Sequence, residues 1–483
     1  MDDLKSKGTK ALVWDFSGKM ATQGMAFAFS IFLARLLDPA DFGLIAMVMV
    51  VIGIASVFTD IGLGGALIQR RKVLPVHYTS VFYFNVFVGL LLALITYSSA
   101  KIIGDFYAND ALVPLIQVMS LSFIINSFSS VQTTRLRREL NYAVITKVRF
   151  IASLISGIVG VSLAYDGLGV WSLVIQTLSM GVVFNISIWT ASKWRPSLLF
   201  SFKALKQLWG FGFRMFLSGV LDAIFTRLDF LIIGKLFPPA TLGFFQRAKS
   251  LNSMAVQASS GSLMAVLFPV LSQVKNDLPR FQNIVIKIMG VICFFVFLLL
   301  GGLYLGSEEL VIFLFGQKWG PAVDYFQILV LSGFGYPVSS LLVNVLASRG
   351  NSKGFLRLEV YKKILTSANF GVLLFLGIDA YLYGLIVTTA LSLLLNILFA
   401  SREIKLSAFC FMRPVVTQAT VSFVAVLVSI YWVVETGMEN GALLFLIKGT
   451  VFTSTYLFIN WLFETESYRS VVEQVMPLTG RLL

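Results

Sequence analysis

The chain has 483 residues, of which 57% are hydrophobic and 13% are charged, and its formal net charge is +14. A soluble domain usually has roughly 45–50% apolar and about 25% charged residues, so this composition excludes an ordinary soluble protein. The apolar residues form runs of about 20, the length of a helix that crosses a hydrocarbon core, rather than the alternating pattern of barrel strands. The sequence therefore predicts an all-α polytopic membrane protein.

In chain order, the apolar runs predict fourteen transmembrane helices. They lie at 11–37, 42–68, 79–100, 111–131, 147–165, 170–192, 209–237, 241–273, 284–305, 322–346, 359–378, 381–401, 413–434 and 441–463. No small-residue cleavage site follows a short apolar core near the start, so we expect the first helix to be retained. The two cysteines, Cys293 and Cys410, lie in or next to separate runs and predict neither a disulfide nor a metal site.

The connections between these helices alternate in charge. Those on one side, such as DPAD, FPPAT and ETGMEN, are mostly acidic or neutral, whereas QRRKVLPVH, TTRLRRELN and SREIKLSAFCFMR on the other side are basic. Lys and Arg concentrate on the cytoplasmic side of membrane proteins. We therefore predict a plasma (inner) membrane protein with both termini in the cytoplasm, and the net charge needs no nucleic-acid partner.

One turn occurs twice, as LLDPADFG at 36–43 and as LFPPATLG at 236–243. The residues that match at an offset of 200 are Leu36, Pro39, Ala40 and Gly43 with Leu236, Pro239, Ala240 and Gly243. Each copy follows the first helix of a unit, and six helices separate the copies. Because six is even, the two units enter the membrane in the same direction, which is the parallel repeat of some transporters.

This repeat predicts three parts of the chain. Residues 1–200 form an N-terminal six-helix bundle, residues 201–402 form a second six-helix bundle, and residues 403–483 contribute an appended helix pair with a cytoplasmic tail. A cavity between two parallel bundles can open to either side by a rocking motion.

Charged residues inside the predicted spans follow two helix faces. Asp15, Lys19 and Gln23 share a face of the first helix, and a second polar face with Arg247 beside it lies on the eighth. A charged residue at a helix centre costs about 2.5–3.5 kcal/mol, so such groups indicate water, partners or a polar ligand. The candidate residues of a substrate cavity are Asp15, Lys19, Gln23, Gln246, Arg247, Lys249, Ser253 and Gln257.

Two simpler explanations remain open for individual residues. Asp15 and Lys19 have the spacing of an ordinary helical ion pair, and the long stems of Arg247 and Lys249 can reach toward the membrane surface. A cavity that holds cations within apolar walls would attract a phosphate or carboxylate group.

Three acidic residues, Asp60, Asp222 and Asp229, are candidates for coupling or gating. Asp222 and Asp229 share a face of the seventh helix, whereas Arg227 lies nearly opposite and is expected to pair with a neighbouring helix. The sequence has no G-x-x-x-x-G-K-[ST] phosphate loop, so transport would be secondary or downhill, without a cofactor. Proton or sodium coupling through these residues is a hypothesis. It would be rejected if neutralising all three acids left sugar export unchanged when the membrane potential is collapsed and restored.

Two segments carry a resemblance to a known family. ARLLDPADFGLIAM at 34–47 and FTDIGLGGALIQRR at 58–71 resemble the opening of Wzx-type polysaccharide flippases of the multidrug/oligosaccharidyl-lipid/polysaccharide superfamily, of the colanic acid and teichuronic acid exporter kind. The resemblance implies transfer of an undecaprenyl-pyrophosphate-linked repeat unit across the plasma membrane. It also implies a cationic cavity for the head group, guidance of the lipid tail by the last two helices, and membrane lipids and polysaccharide polymerase machinery as partners.

Two alternatives remain. A cation-coupled multidrug exporter of the same superfamily would favour an acidic or aromatic cavity, whereas these faces carry Lys and Arg. A membrane polysaccharide polymerase or ligase would need a large outer loop or catalytic carboxylates, but the longest outer connection, around Glu308 and Glu309, is short. The sole histidine, His77, lies in a basic loop and argues against histidine-based catalysis. We therefore predict that the protein is not an enzyme.

Overall fold

The structure is a computed structural model that describes residues 2–436 and 441–479. Side chains are described within these ranges except at 2–13, 15, 16, 211, 214, 258–270, 433–436, 441, 442 and 474–479. All regular elements of the described residues are helices. The chain divides into two compact units, residues 1–243 and 244–483.

The first unit contains nine helices in its described residues. They are α1 (Asp2–Leu36), α2 (Pro39–Ala55), α3 (Leu63–Gln69), α4 (Pro75–Tyr107), α5 (Leu112–Met119), α6 (Leu121–Arg138), α7 (Tyr142–Tyr165), α8 (Val170–Ala191) and α9 (Phe202–Leu236). A short 3₁₀ helix at Ser56–Thr59 follows α2. Helix α10 (Pro239–Gln273) begins in this unit and continues into the second.

The remaining helices belong to the second unit. They are α11 (Leu278–Leu305), α12 (Ser307–Phe315), α13 (Ala322–Gly333), α14 (Gly335–Arg349), α15 (Ser352–Ile404), α16 (Ala408–Thr436), α17 (Gly441–Leu462) and α18 (Glu466–Thr479). The connection around Glu308 and Glu309, which we expected to be a loop, is helix α12 followed by a 3₁₀ turn at Gln317–Trp319. The reason is its content of Leu, Val, Ile and Phe, which pack against the neighbouring helices.

Ten helical segments of the described residues are long and apolar enough to cross a membrane. Helices α1, α9 and α10, each of 35 residues, are also long but carry charged residues within them. Helix α15 has 53 residues and is kinked at Gly377, whose φ of 88° is non-helical. The prediction of a polytopic all-helical membrane protein is confirmed, while the count of fourteen spans and the three-part division stay predictions.

The predicted second helix, 42–68, is interrupted after residue 55. Its break contains Gly62, whose φ of 71° is left-handed and whose absent side chain leaves room for the carbonyl of Gly212 on α9. Asp60 then caps α3, because its carboxylate accepts hydrogen bonds from the backbone N–H of Gly64 at 3.0 and 3.1 Å. The segment FTDIGLGGALIQRR thus forms a break and a short capped helix.

The other end of α3 is capped by a side chain from α6. The guanidinium of Arg138 donates to the carbonyl oxygens of Leu67, of Arg70 at 2.7 Å and of Arg71 at 3.2 Å. The last carbonyls of a helix have no partner within it, and a cation is favourable at that end. Arg138 therefore fixes α3 to α6.

The two copies of the repeated turn are in contact with each other. A Cβ atom added to Gly43 would overlap the carbonyl oxygen of Pro239, and one added to Gly243 would overlap that of Pro39. The contact is reciprocal and joins backbone to backbone. Only glycine allows this approach at both positions.

In the second unit, a buried polar network connects α16 with α17. The amide of Gln418 donates to Asn460 Oδ1 at 2.8 Å, and Thr465 Oγ1 donates to the same oxygen at 2.6 Å. The hydroxyl of Tyr456 donates to the carbonyl of Phe294 on α11 at 2.9 Å. Because buried polar groups are costly to leave unpaired, this network fixes the appended helix pair against α11.

Helix α18 is joined to α11 at the surface of the same unit. Lys287 Nζ donates to Glu473 Oε2 at 2.8 Å. This hydrogen bond and the positive charge of Lys287 lower the pKa of the Glu473 carboxyl.

A buried ion pair connects α12 with α17. Lys448 Nζ contacts Glu309 Oε1, and the two side chains are 16% and 8% exposed. Glu309 lies in the first turn of α12, where the helix dipole favours a negative charge. The pair explains how Lys448 can lie within a span.

Alanine at either glycine of the repeated turn should lower the thermal stability of the purified protein. The added Cβ in Gly43→Ala or Gly243→Ala meets rigid backbone, and overpacking costs typically 1–3 kcal/mol. Gly24→Ala in α1 is the matched control, because no atom lies within 4 Å of its added Cβ. Equal melting temperatures for all three variants in thermal unfolding would contradict the close backbone contact.

Breaking the buried ion pair should destabilise the protein more than breaking an exposed one. We expect Lys448→Gln to cost about 3–5 kcal/mol because Glu309 is left buried and unpaired. Lys101→Gln, which breaks a pair with Asp105 whose side chains are 66% and 61% exposed, should lower the stability much less, because exposed ion pairs contribute little. The double variant Glu309→Lys, Lys448→Glu again places opposite charges together, so it should be more stable than Glu309→Lys alone or Lys448→Glu alone. A double variant no more stable than these two single variants would refute the pairing.

Candidate functional site

The predicted site residues of the first unit lie on α1. Lys19 is exposed and Gln23 is half-buried, whereas the side chain of Asp15 lies outside the described residues. Helix α1 packs against α7 because Gly18 leaves room for Thr146, whose hydroxyl donates to the carbonyl of Trp14 at 3.2 Å. The first unit therefore presents a cation, Lys19, on the exposed part of α1.

A cleft of about 400 Å³ opens between α1 and α7. Its walls include Trp14, Ser17, Lys147 and Phe150, and Lys147 Nζ lies 5.7 Å from the centroid of the Trp14 ring. The cation–π contact keeps this second positive charge next to α1.

Arg247 on α10 is enclosed by aromatic rings. Its side chain is buried, and its guanidinium carbon lies 5.2 Å from the centroid of Phe315 and 5.6 Å from that of Trp319. Aromatic faces attract a cation, and the attraction grows when water is removed. The rings therefore hold the arginine in one place at the junction of α10 and α12.

The other predicted residues on α10 differ in exposure. Lys249 is half-buried with its Nζ 5.5 Å from the centroid of Phe245, and Gln246 has a buried Oε1 without a hydrogen-bond partner in the described part of the chain. Ser253 and Gln257 are exposed and joined by a hydrogen bond of 3.2 Å from the Gln257 amide. Lys249, Ser253 and Gln257 therefore form the accessible polar part of α10.

The three acidic candidates occupy different surroundings. Asp60 caps α3 and also accepts a hydrogen bond of 3.3 Å from the amide of Asn85. Asp229 is buried and accepts from the backbone N–H of Phe230 at 2.9 Å, while Asp222 is exposed. Asp60 thus has a structural task in addition to any role in coupling.

Arg227 is held by α2 in the way that its position on the helix predicts. Its Nη1 donates to the carbonyl of Met49 at 3.3 Å, and a side chain on Gly53 would overlap the guanidinium. A glycine at this position allows the cation to lie against the neighbouring helix.

Sequence reasoning did not single out Arg149, which lines a small pocket between α6, α7 and α8. The pocket has a volume of about 290 Å³ and is also lined by Ser122, Asn126 and Thr177. The hydroxyl of Ser122 is buried without a hydrogen-bond partner among the described residues. The signal in the sequence is the polar face of α7, formed at helical spacing by Thr146, Arg149, Ser153 and Ser156.

A large apolar cavity lies in the second unit between α11, α13, α15 and α16. Its volume is about 660 Å³. The aromatic and aliphatic residues that define it include Phe297, Tyr304, Phe334, Ile386, Val416, Phe423 and Ile430. A cavity of this composition suits a hydrocarbon chain.

A model of the "Polysaccharide biosynthesis protein" family matches residues 32–324. The chain is 24% identical over 351 residues to the lipopolysaccharide biosynthesis protein WzxC of Escherichia coli, covering 70% of each chain. It is also 24% identical to the teichuronic acid biosynthesis protein TuaB of Bacillus subtilis, covering 68% of this chain and 66% of the relative.

Solved structures share the fold. The lipid II flippase MurJ in an inward closed conformation matches with a TM-score of 0.74 and 15% identity, over 95% of this chain and 100% of that one. An inward-facing multidrug transporter of the MATE family matches with a TM-score of 0.61 and 15% identity, over 81% and 98%. The chain therefore shares the transporter fold of these two structures. Because the family model covers more than half of the chain, the protein belongs to the polysaccharide biosynthesis protein family, as its resemblance to Wzx-type flippases predicts.

Proposed function

We propose that this protein is a flippase that moves undecaprenyl-pyrophosphate-linked repeat units of a surface polysaccharide across the bacterial plasma membrane by alternating access. The observation that carries the proposal is the match of the family model together with the names of the relatives, which act in lipopolysaccharide and teichuronic acid biosynthesis. The structural neighbours are named as a flippase and a multidrug transporter, so we infer a transporter rather than an enzyme.

The charged faces of α1 and α10 support binding of a pyrophosphate head group. Lys19 is exposed on α1, and Lys249 lies beside the exposed Ser253 on α10. A pyrophosphate carries several negative charges, and its attraction to cations grows where water is excluded. Arg247 would act through its fixed position between aromatic rings, and it could contribute positive potential without a large movement.

The apolar cavity beside α16 supports accommodation of the isoprenoid tail. Its lining follows helix α16 from Val416 to Ile430, and the 14 residue steps between them span about 21 Å at the rise of an α-helix. Burial of a hydrocarbon chain gains about 25 cal/mol per Å² of apolar surface, although the surrounding lipid offers much of the same gain. The cavity would therefore orient the tail more than it would hold it.

The same proposal includes the orientation and the partners. The basic connections place both termini in the cytoplasm by the positive-inside rule, and the two parallel six-helix bundles would provide the rocking motion. Polysaccharide polymerase machinery would receive the transferred unit.

Proton or sodium coupling would use Asp222 or Asp229, since Asp60 also caps α3. The test measures polysaccharide export with and without a membrane potential, in the native protein and in the double variant Asp222→Asn, Asp229→Asn. If the membrane potential changes export in neither protein, this coupling is refuted.

Reversal of the candidate cations should block polysaccharide export without preventing membrane insertion. We expect Lys19→Glu with Lys249→Glu to reduce export strongly, and addition of Arg247→Glu to abolish it, because the head group would then meet negative charge. Surface polysaccharide is measured in cells that lack the native gene, and the membrane level of each variant is measured in parallel. Lys101→Glu, at an exposed ion pair, is the control and should export normally.

The contrast between these variants decides the assignment. Normal export by a correctly inserted triple variant would contradict the proposed cationic site. A drug-sensitivity phenotype with normal surface polysaccharide would instead favour a multidrug exporter, the alternative that the MATE-like fold keeps open.

A further inference from the structure

A groove lies at the beginning of α16 and adjoins the apolar cavity described above, because Val416 and Thr420 line both. It has a volume of about 910 Å³ and is formed by α16, the end of α17 and the beginning of α18. Four charged residues at the three helix ends line it, namely Arg413, Glu464, Glu466 and Arg469. The rest of the lining is mainly apolar or hydroxylated and includes Val416, Thr417, Thr420, Val421, Val424, Ile459 and Phe463.

The four charges form two ion pairs at the helix ends that line the groove. Arg413 Nη1 contacts Glu466 Oε1, and Arg469 Nη2 lies 2.5 Å from Glu464 Oε2. All four side chains are at least 52% exposed. Exposed ion pairs contribute little to stability, so a ligand that offers both charges can exchange with them at little cost.

The groove begins where the span formed by α17 ends. Trp461, at this end of the span, is 58% exposed, and the neighbouring Phe463 is 72% exposed. An exposed Trp at the end of a span is typical of the membrane–water interface. Val416 and Val424 are also exposed, so the groove continues from this interface along the hydrocarbon-facing side of α16.

The base of the groove is rigid. Thr465 lines it and belongs to the buried network with Gln418 and Asn460, which joins α16 to α17. The charged entrance is therefore carried by helix ends whose spacing is fixed before any ligand binds.

We propose that this groove binds one zwitterionic phospholipid with a primary amine in its head group. The phosphate binds Arg413 and Arg469, the ammonium group donates hydrogen bonds to Glu464 and Glu466, and an acyl chain lies along Val416, Val424 and Phe463. Two arginines and two glutamates complement a zwitterion, whereas an anionic lipid would face both glutamates without a positive charge to offer them. A choline head group has no N–H to donate. The lipid is a bound component of the membrane and not the transported substrate.

Native mass spectrometry of the full-length protein in detergent tests this site. Phosphatidylethanolamine, phosphatidylcholine and phosphatidylglycerol with identical acyl chains are added in turn, and the bound fraction is measured. We expect the native protein to bind phosphatidylethanolamine about tenfold more tightly than either other lipid, a factor that corresponds to about 1.4 kcal/mol.

Two double variants separate the roles of the charges. Arg413→Gln with Arg469→Gln should remove binding of all three lipids to this site, whereas Glu464→Gln with Glu466→Gln should remove only the preference for phosphatidylethanolamine. Lys101→Gln is the control for loss of an exposed ion pair elsewhere, and it should keep the native preference. Thermal unfolding confirms that each variant is folded. Equal or tighter binding of phosphatidylglycerol by the native protein, or an unchanged preference in both double variants, would overturn the proposal.

Discussion

The cost of placing a charged side chain in hydrocarbon is the constraint on which this structure depends. Each such residue costs about 2.5–3.5 kcal/mol at a helix centre, and the protein offsets that cost with specific local partners. Arg227 has a backbone carbonyl of α2, Arg247 has two aromatic rings, and Lys448 has Glu309. These partners also join helices to one another, so the same contacts that make the charges tolerable help to fix the packing of each unit.

This constraint separates charges that mainly support the fold from those that remain accessible. Arg138 and Asp60 cap opposite ends of α3, and their groups are directed at its backbone. Lys19 and Lys249 retain exposed surface and can meet a ligand. The proposed head-group site therefore depends on few residues, while the tail and the neighbouring lipids are met by apolar surface along α16.

The sequence predicts the helical membrane class and most span positions because apolar runs of about 20 residues have few other interpretations. It also marks Arg227 as a residue that needs a neighbouring helix. It cannot predict that residues 56–62 interrupt the second helix, because the capping partner Arg138 and the close neighbour Gly212 are distant in the chain. The aromatic enclosure of Arg247 is hidden for the same reason, and the turn that occurs twice gives no sign that its copies touch.

The proposed function requires the protein to transfer a lipid-linked saccharide between leaflets. The most direct measurement reconstitutes the purified protein into vesicles that contain the undecaprenyl-pyrophosphate-linked repeat unit in both leaflets. A membrane-impermeant glycan-cleaving enzyme is added outside, and the cleaved fraction is followed over time. The native protein should make the inner-leaflet pool accessible to this enzyme. The variant in which Lys19, Arg247 and Lys249 are each replaced by Glu should leave that pool protected. An inner pool that stays protected in vesicles with native protein, under an imposed ion gradient as well as without one, would contradict the account.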